Sequence, residues 1–311
     1  MQSCTGFAPS NGIELAYEDM GNPDDPVVLM IMGLSAQMTL WPRQFCERIA
    51  EQGFRVIRFD NRDIGLSTKM NGQRIEGSAL LRLLRTELGA SSRVPYTLKD
   101  MALDAKGLLD HLEIRQVHVV GASMGGMIAQ VFAGLYPERV LSSAVIFSST
   151  NEAFLPPPDP RALLPLMKGP GPDASRDEIV AHSANTRRII GSPAYPTPMD
   201  ELLLTAGEMY DRNYNPAGAL RHMAAVTGPG SLRRIAAQIS TPTVVIHGLA
   251  DRLMRPSGGR AVARAINGST LHLIDGMGHD FPSSVQPRLI ELVAENCARA
   301  GRTAKAAAYP W

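Results

Sequence analysis

The chain has 311 residues, enough for one large α/β domain or two smaller ones, and its 44% hydrophobic and 20% charged residues exclude a disordered chain. The formal net charge of +1, with no cluster of Lys and Arg, does not support a nucleic-acid partner. The three cysteines, Cys4, Cys46 and Cys297, are too few and too widely spaced for a disulfide framework or a zinc site.

We expect neither a signal peptide nor a transmembrane segment. The first residues lack a basic stretch followed by an apolar run, and the longest apolar run, Val27 to Leu34, is too short to cross a bilayer. We therefore expect a cytoplasmic protein without a membrane partner. We also expect no cofactor and no metal. The oligomeric state is left open, with a homodimer among the alternatives.

Hydrophobic periodicity divides most of the chain into alternating strands and helices. In chain order, we predict an exposed antiparallel edge strand at 13–19, a buried strand at 27–32, a helix at 41–52, a strand at 54–59, a helix at 97–112, a strand–helix pair within 117–130, a strand at 141–148, helices at 176–190, 199–212 and 216–226, a strand at 243–247, a helix at 261–266, a strand at 270–274 and a helix at 287–300. Residues 69–95 have no clear pattern, and the tail from 301 to Trp311 is predicted either to fray or to dock its tryptophan.

The alternation predicts an α/β fold, with a mostly parallel sheet covered by helices on both faces. Residues 152–235 interrupt it, because they begin with a proline-rich stretch and then contain helical patterns without strands. We interpret this segment as a helical cap over the carboxyl edge of the sheet. The core domain would then consist of residues 1–151 and 236–311.

A small-residue turn joins the central strand to the next helix and reads Gly121-Ala-Ser123-Met124-Gly125. This pattern is the nucleophile elbow, in which a serine occupies a sharp strand-to-helix corner with its hydroxyl exposed. Side chains at 121 or 125 would clash where the two backbones approach. The free N–H groups and positive dipole end of the helix would stabilise an anion there. Ser123 is therefore the candidate nucleophile.

A serine nucleophile needs a base and a group that orients the base. Ligands of open α/β sheets bind beyond the carboxyl ends of the strands, so the partners should follow strands. Asp251 follows the strand at 243–247, and His279 follows the strand at 270–274 between glycines. The order nucleophile, acid, histidine is the one known for α/β-hydrolases. The other histidines lie within predicted elements or at a strand end and are weaker candidates. His182 and His222, in the cap, could still contact substrate.

Two backbone N–H groups are candidates for an oxyanion hole. One belongs to Met124, directly after the nucleophile. The other belongs to Leu34, which follows Gly33 in the loop after the strand at 27–32. Apolar side chains in or near the cap are candidates for contact with substrate, although each could equally pack the cap onto the sheet. With Gly33, the substrate-binding candidates are Phe154, Met209, Tyr210 and Met223.

These motifs resemble those of the α/β-hydrolase superfamily over nearly the whole chain. The resemblance is carried by residues 121–125, by His-Gly-Leu-Ala-Asp-Arg-Leu-Met at 247–254 and by Gly-Met-Gly-His at 276–279. The segments 32–37 and 59–67 are similar to those of bacterial esterases of the aclacinomycin methylesterase type. The resemblance implies an eight-stranded sheet, a helical cap and metal-free ester hydrolysis. Many relatives have His-Gly where this chain has Met32-Gly33, so the hydrogen bonding of that loop is expected to differ.

The sequence therefore predicts a serine carboxylesterase with a Ser123–His279–Asp251 triad, acting on a small-molecule ester with a short to medium acyl chain. Ser123 at the elbow favours acyl transfer over the chemistry of relatives that have an aspartate there. Lactone opening, carbon–carbon hydrolysis and perhydrolysis use the same triad and stay open. A peptidase of the proline iminopeptidase type is another alternative, with Glu201, Glu208 and Asp211 available to bind an amine. A small-molecule receptor that keeps the triad is the third.

Overall fold

The computed structural model describes residues 3–308, and the side chains of residues 3–86 and 88–301. In chain order its elements are β1 Ser3–Ser10, β2 Ile13–Met20, β3 Val27–Ile31, α1 Arg43–Ala50, β4 Arg55–Phe59, α2 Ala79–Glu87, α3 Leu98–His111, β5 Val117–Ala122, α4 Met124–Leu135, β6 Val140–Ile146, α5 Pro160–Met167, α6 Arg176–Ile190, α7 Met199–Arg212, α8 Pro216–Thr227, α9 Arg233–Ala236, β7 Thr243–Gly248, α10 Pro256–Ala265, β8 Thr270–Ile274 and α11 Gln286–Ala308. The proposed docking of Trp311 lies outside the described residues.

One eight-stranded sheet organises the molecule, with strand order β1-β2-β4-β3-β5-β6-β7-β8. The pairs β1–β2 and β2–β4 are antiparallel, and every other pair is parallel. The predicted fold class is thereby confirmed. The prediction that residues 13–19 form an edge strand is wrong, because β1 pairs along the whole outer side of β2. Gly6 and Pro9 interrupt the strand pattern of β1, and Pro9 is tolerated because β1 is itself the edge.

Two hydrophobic clusters cover the two faces of the sheet. On one face α3 and α4 pack on β3 and β5, and on the other α1 and α11 pack on β3, β6 and β7. Strands β3, β5 and β7 are buried at every residue, as expected for parallel strands between two helical layers. A capping box begins α3: Thr97 accepts from the backbone of Asp100, whose carboxylate accepts from the backbone of Thr97. Such a cap contributes about 1 kcal/mol.

Between β6 and β7 the described chain is helical and contains no strand. Helices α6 and α7 have the bounds predicted from the sequence, and they share a small cluster formed by Val180, Ala184 and Ala206, separate from the two core clusters. Helices α2, α5 and α9 were not predicted. We call the segment from α5 to α8 the cap. Within residues 3–308, none of the helices combines the length and apolar character that crossing a membrane requires.

Candidate active site

Ser123 lies at the corner between β5 and α4, at the carboxyl edge of the sheet. Its backbone has φ 56° and ψ −122°, a conformation that costs of order 1–3 kcal/mol for a residue with a side chain. The corner is held by the Ser123 N–H, which donates to the carbonyl of Ile146 on β6 at 2.9 Å, and by the Ser123 carbonyl, which accepts from Gly126 and Met127. The strained turn lifts the hydroxyl out of the sheet.

The glycines of the elbow are required by close backbone approach, as predicted. A Cβ on Gly121 would overlap the carbonyl of Gly125, and a Cβ on Gly125 would overlap the carbonyl of Ile31 on β3. Gly33 lies directly beside the nucleophile, since a Cβ there would be 3.0 Å from the Cβ of Ser123 and 3.5 Å from its hydroxyl oxygen. The loop after β3 therefore reaches the elbow only because it carries glycine at this position.

A continuous hydrogen-bond chain joins the three residues that the sequence singles out. His279 Nε2 lies 2.9 Å from the hydroxyl oxygen of Ser123, and His279 Nδ1 lies 2.7 Å from a carboxylate oxygen of Asp251. Ser123 and Asp251 are 128 positions apart, and the sheet brings them together because β5 and β7 end at the same edge. The arrangement suits proton transfer from the serine to the imidazole, with the carboxylate holding the Nδ1–H tautomer.

The second oxygen of Asp251 is occupied by its own loop. It accepts from the backbone N–H groups of Leu253 at 2.9 Å and Met254 at 2.8 Å, which orients the carboxylate toward His279. His247, at the end of β7, is also close, with 3.7 Å between its Nε2 and Asp251. However, that nitrogen donates to the carbonyl of Met254, and burial lowers the pKa of His247. It serves as a neutral support of the loop.

The loop that carries His279 is fastened to the cap. The His279 N–H donates to the carbonyl of Ile190, the last residue of α6, at 2.8 Å. Just beyond α6, the hydroxyl of Ser192 donates to Asp280 at 2.5 Å and accepts from the Gly278 N–H at 2.8 Å. Burial raises the pKa of Asp280, which the Ser192 hydrogen bonds oppose. The sequence did not indicate this contact.

The two proposed oxyanion donors point to no protein acceptor. Among residues 3–308, neither the Leu34 N–H nor the Met124 N–H donates to a backbone or side-chain acceptor. Met124 is the first residue of α4, so its N–H has no partner within the helix. Leu34 follows Gly33, where an added Cβ would come within 3.0 Å of the Cβ of Ser123. The two N–H groups are therefore free to bind an anion beside the serine.

Hydrogen bonds between Gln37 and the end of α7 hold the loop after β3 to the cap. The side-chain amide of Gln37 donates to the carbonyls of Met209 at 2.6 Å and Asn213 at 2.8 Å, and its oxygen accepts from Arg212 at 2.7 Å. Arg212 also pairs with Asp60 at 2.7 Å. The loop that carries one oxyanion donor is thus tied to the end of α7.

His222, on α8, fastens the same loop closer to the oxyanion hole. Its Nδ1 accepts from the backbone N–H of Ser35, the neighbour of Leu34, at 3.3 Å, and its Nε2 donates to the carbonyl of Arg62 at 2.7 Å. The side chain is fully buried, and burial lowers the pKa of His222 to about 4. Both ring nitrogens are occupied, so the expectation that His222 could contact substrate is wrong. His182 contacts Pro165 within the cap.

The turn after β4 contacts both the loop after β3 and helix α8 of the cap. Asp60 accepts from the backbone of Met38 at 2.8 Å, and Asn61 donates to the carbonyl of Met32 at 2.9 Å. Asp63 pairs with Arg221 of α8 at 2.7 Å and accepts from the Tyr96 hydroxyl at 2.7 Å. Burial opposes ionisation of Asp63, but these hydrogen bonds outweigh it and lower its pKa. The segment 59–67 supported the resemblance, but only the structure shows that it contacts both the loop after β3 and helix α8.

The predicted substrate-binding residues have different environments. Gly33 lies near Ser123, since an added Cβ would be 3.0 Å from the Cβ of the serine, whereas Tyr210 packs in the cap cluster and stacks on Tyr214 at 5.1 Å. Met209 and Met223 are partly buried. Phe154 has 84% of its surface exposed, so the structure does not bring it into an enclosed site with Ser123. Binding roles for these side chains stay predictions.

The acidic cap residues that could bind the amine of a peptidase substrate are paired or exposed to solvent. Asp211 forms an exposed ion pair with Arg176 at 2.6 Å, and Glu201 and Glu208 are exposed on α7. Among the described side chains, no three His, Cys, Asp or Glu residues form a group that could hold a metal ion.

A fold with this strand order, a serine at the elbow and a helical insertion after β6 defines the α/β-hydrolases. A family model described as "alpha/beta hydrolase fold" matches residues 26–282, and the chain belongs to this family. The resemblance stated from the motifs is confirmed.

Individual relatives narrow the comparison. The chain is 28% identical to the rhodomycin D methylesterase DauP of Streptomyces sp. (strain C5) and 27% identical to the rhodomycin D methylesterase DnrP of Streptomyces peucetius. Each alignment covers 92% of this chain and 95% of the relative. Among solved structures, it is similar to a meta-cleavage product hydrolase from Pseudomonas fluorescens IP01, with a TM-score of 0.72, 17% identity and coverage of 95% of this chain and 98% of that one. The solved structure supports the fold alone, and the relatives support a hydrolase of carboxylic esters.

Proposed function

We propose that the protein is a serine carboxylesterase that works through an acyl-enzyme on Ser123. The observation that carries the proposal is the unbroken chain of hydrogen bonds from Asp251 through His279 to the Ser123 hydroxyl, with distances of 2.7 and 2.9 Å. Two free N–H groups beside the serine, those of Leu34 and Met124, supply the oxyanion hole.

The reaction has two halves. His279 Nε2 takes the proton of Ser123 as its oxygen attacks the ester carbonyl, and the N–H groups of Leu34 and Met124 stabilise the oxyanion. When the bond to the alcohol oxygen breaks, the imidazolium gives its proton to the departing alcohol, which leaves an acyl-serine. His279 then takes a proton from water, the hydroxide attacks the acyl-serine, and the acid is released as Ser123 regains its proton. Asp251 stabilises the imidazolium in both halves.

The substrate is proposed from the relatives and from the cap. The rhodomycin D methylesterases act, by their names, on a methyl ester, and we extend methanol as the leaving group to this chain. Methionines such as Met209 and Met223 adapt to irregular shapes, which suits an acyl group of short to medium length. The pairing of Asp211 with Arg176 does not favour a peptidase.

Replacing the nucleophile tests the proposal. We expect Ser123→Ala to lower the kcat for 4-nitrophenyl esters and methyl esters by at least about four orders of magnitude. Ser231→Ala, a change in the loop before α9, is the matched control and should keep the kcat of the unchanged protein. Labelling by a fluorophosphonate should occur at Ser123 in the wild type and be lost in Ser123→Ala.

The same assays separate the alternatives. A variant lacking Ser123 that kept most of its esterase activity would refute the triad. Rates for 4-nitrophenyl esters that peak at the longest acyl chains would refute the proposed substrate range. Absence of labelling in the wild type would favour a receptor, and turnover of lactones or diketones above esters would favour another reaction of the same triad.

A further inference from the structure

We propose that Arg187 binds a carboxylate of the substrate, so that the preferred substrates are esters that carry a second, ionised acid group. The inference rests on the proposed esterase function and adds a substrate class to it.

Arg187 lies on the face of α6 that packs against α7. It follows Val180 and Ala184 at helical spacing on α6, and those two residues pack against Ala206 of α7. Its guanidinium extends in the same direction, because Nη2 lies 2.7 Å from the sulfur of Met209 on α7. The side chain nevertheless keeps some exposure. Arg187 therefore faces α7 and still reaches accessible space.

Both sides of the candidate active site lie close to Arg187. One turn further along α6, the carbonyl of Ile190 accepts from the backbone of His279. On the other side, the carbonyl of Met209 accepts from Gln37, at the end of the loop that carries Leu34. Arg187 thus lies between the segment that holds the base and the segment that holds the oxyanion donor.

The charge of Arg187 has no counterion among the side chains of residues 3–86 and 88–301. Buried or nearly buried arginines around the same loops pair with carboxylates: Arg58 with Glu18, Arg62 with Asp104, Arg212 with Asp60 and Arg221 with Asp63. Among the described side chains, no carboxylate lies within ion-pair distance of Arg187, whose guanidinium contacts a thioether, a weak acceptor.

Burial lowers the pKa of Arg187 to about 10, so the group is still a cation at neutral pH. An unpaired, desolvated charge costs several kcal/mol, and a bound anion would remove that cost. The planar guanidinium fork matches the two oxygens of a carboxylate. A monoester of a dicarboxylic acid would satisfy both sites, with its ester carbonyl at Ser123 and its free acid at Arg187.

The test compares each monoester with its neutral diester. Monomethyl glutarate and monomethyl adipate are assayed against dimethyl glutarate and dimethyl adipate by release of methanol. We expect the wild type to have the higher kcat/KM for the monoesters. In Arg187→Gln, the ratio of kcat/KM for monoester to diester should fall by about 10- to 100-fold, mainly through the KM of the monoester. Arg187→Lys should lose less of the ratio, because it keeps the charge.

A neighbouring arginine provides the control. Arg188 is exposed and bonds to Asn185, so Arg188→Gln should keep the wild-type ratio. Thermal unfolding of each variant checks that it is folded, and Arg187→Met replaces Arg187→Gln if the glutamine variant is not. Equal losses on monoester and diester, or a wild type that does not discriminate, would overturn the assignment and leave Arg187 a structural residue.

A binding measurement separates this inference from the esterase proposal. If the wild type hydrolyses neither monoester nor diester, the proposed function fails, and calorimetry with glutarate then tests Arg187 alone. Glutarate binding that is present in the wild type and Arg188→Gln but lost in Arg187→Gln supports the carboxylate site. Absence of binding in the wild type, or equal binding by Arg187→Gln, refutes it.

Discussion

The two loops that meet at Ser123 are held in place in different ways. The elbow is shaped locally: glycines at 121 and 125 let β5 and α4 approach, and the backbone of Ser123 takes the strained corner. The loop after β3 has little of its own to hold it. At its two ends, Met32 and Met38 bond to Asn61 and Asp60 in the turn after β4. Between them, its contacts come from the cap, namely Gln37 to the end of α7 and Ser35 to His222. The candidate nucleophile is therefore positioned by local backbone geometry, whereas the proposed oxyanion donor at Leu34 also depends on contacts with the cap.

The largest loss of stability and activity should come from a substitution in the elbow between β5 and α4. A Cβ in Gly125→Ala would overlap the carbonyl of Ile31, a backbone atom of a central strand that cannot move away. We expect a loss of at least about 3 kcal/mol in the free energy of unfolding, and kcat reduced by about three orders of magnitude. Urea unfolding and ester hydrolysis measure both.

Gly301→Ala is the matched control, since a Cβ there would meet open space. If Gly125→Ala folded and turned over esters like the wild type, the steric account of the elbow would be wrong.

An intermediate loss of kcat should follow when the contact between the cap and the loop after β3 is removed. Replacement of His222 by Gln removes the acceptor at the Nδ1 position, whereas Asn can present an oxygen there to the Ser35 N–H. We expect His222→Gln to lower kcat by about tenfold, a fraction of the loss of an oxyanion donor, and His222→Asn to lower it less. KM should change little, because the oxyanion forms only in the transition state.

Steady-state kinetics at neutral pH on both variants provides the measurement, with urea unfolding to compare their stabilities. Equal kcat in His222→Gln, His222→Asn and the wild type would show that the loop does not need the cap contact.

Acidic pH should lower the stability of both halves. Burial lowers the pKa of His222 and His118 to about 4, below the ordinary value of 6.5. Between these values the unfolded chain binds protons that the folded protein does not. Stability is therefore full above pH 6.5 and declines as the pH falls toward 4, by up to about 3 kcal/mol for each histidine.

Urea unfolding between pH 7.5 and 4.5 should show this decline, and it should be shallower in His118→Gln. Because His118 lies in β5 and contacts Ser142, the variant should keep its kcat, which separates this histidine from His222. Equal pH dependence in the variant and the wild type would contradict the assignment to His118. Burial also raises the pKa of Asp104, with the opposite sign, so the difference between the two proteins is the quantity to compare.

Much of the architecture was readable because the signals are local. The bounds of α6 and α7 and the capping box at Thr97 follow from periodicity and capping within a few residues. The elements that were missed have weak local patterns: β1 contains Gly6 and Pro9, and α2 lies in a segment without clear periodicity. The candidate triad was also readable, since each member follows a strand and parallel strands end at one edge. Its catalytic role stays a prediction that the Ser123 experiments test.

By itself, the sequence determined the order of strands and helices, the elbow and the three residues placed at the ends of strands. Only the tertiary structure decided that β1 covers β2 and that His222 bonds to the loop after β3. It also decided that, among the side chains the structure describes, the Arg187 guanidinium meets a thioether and no carboxylate. The physical reason is the range of the forces involved. Backbone sterics and hydrogen bonds along a helix act between near neighbours, whereas burial and the pairing of a charge depend on residues that only folding brings together.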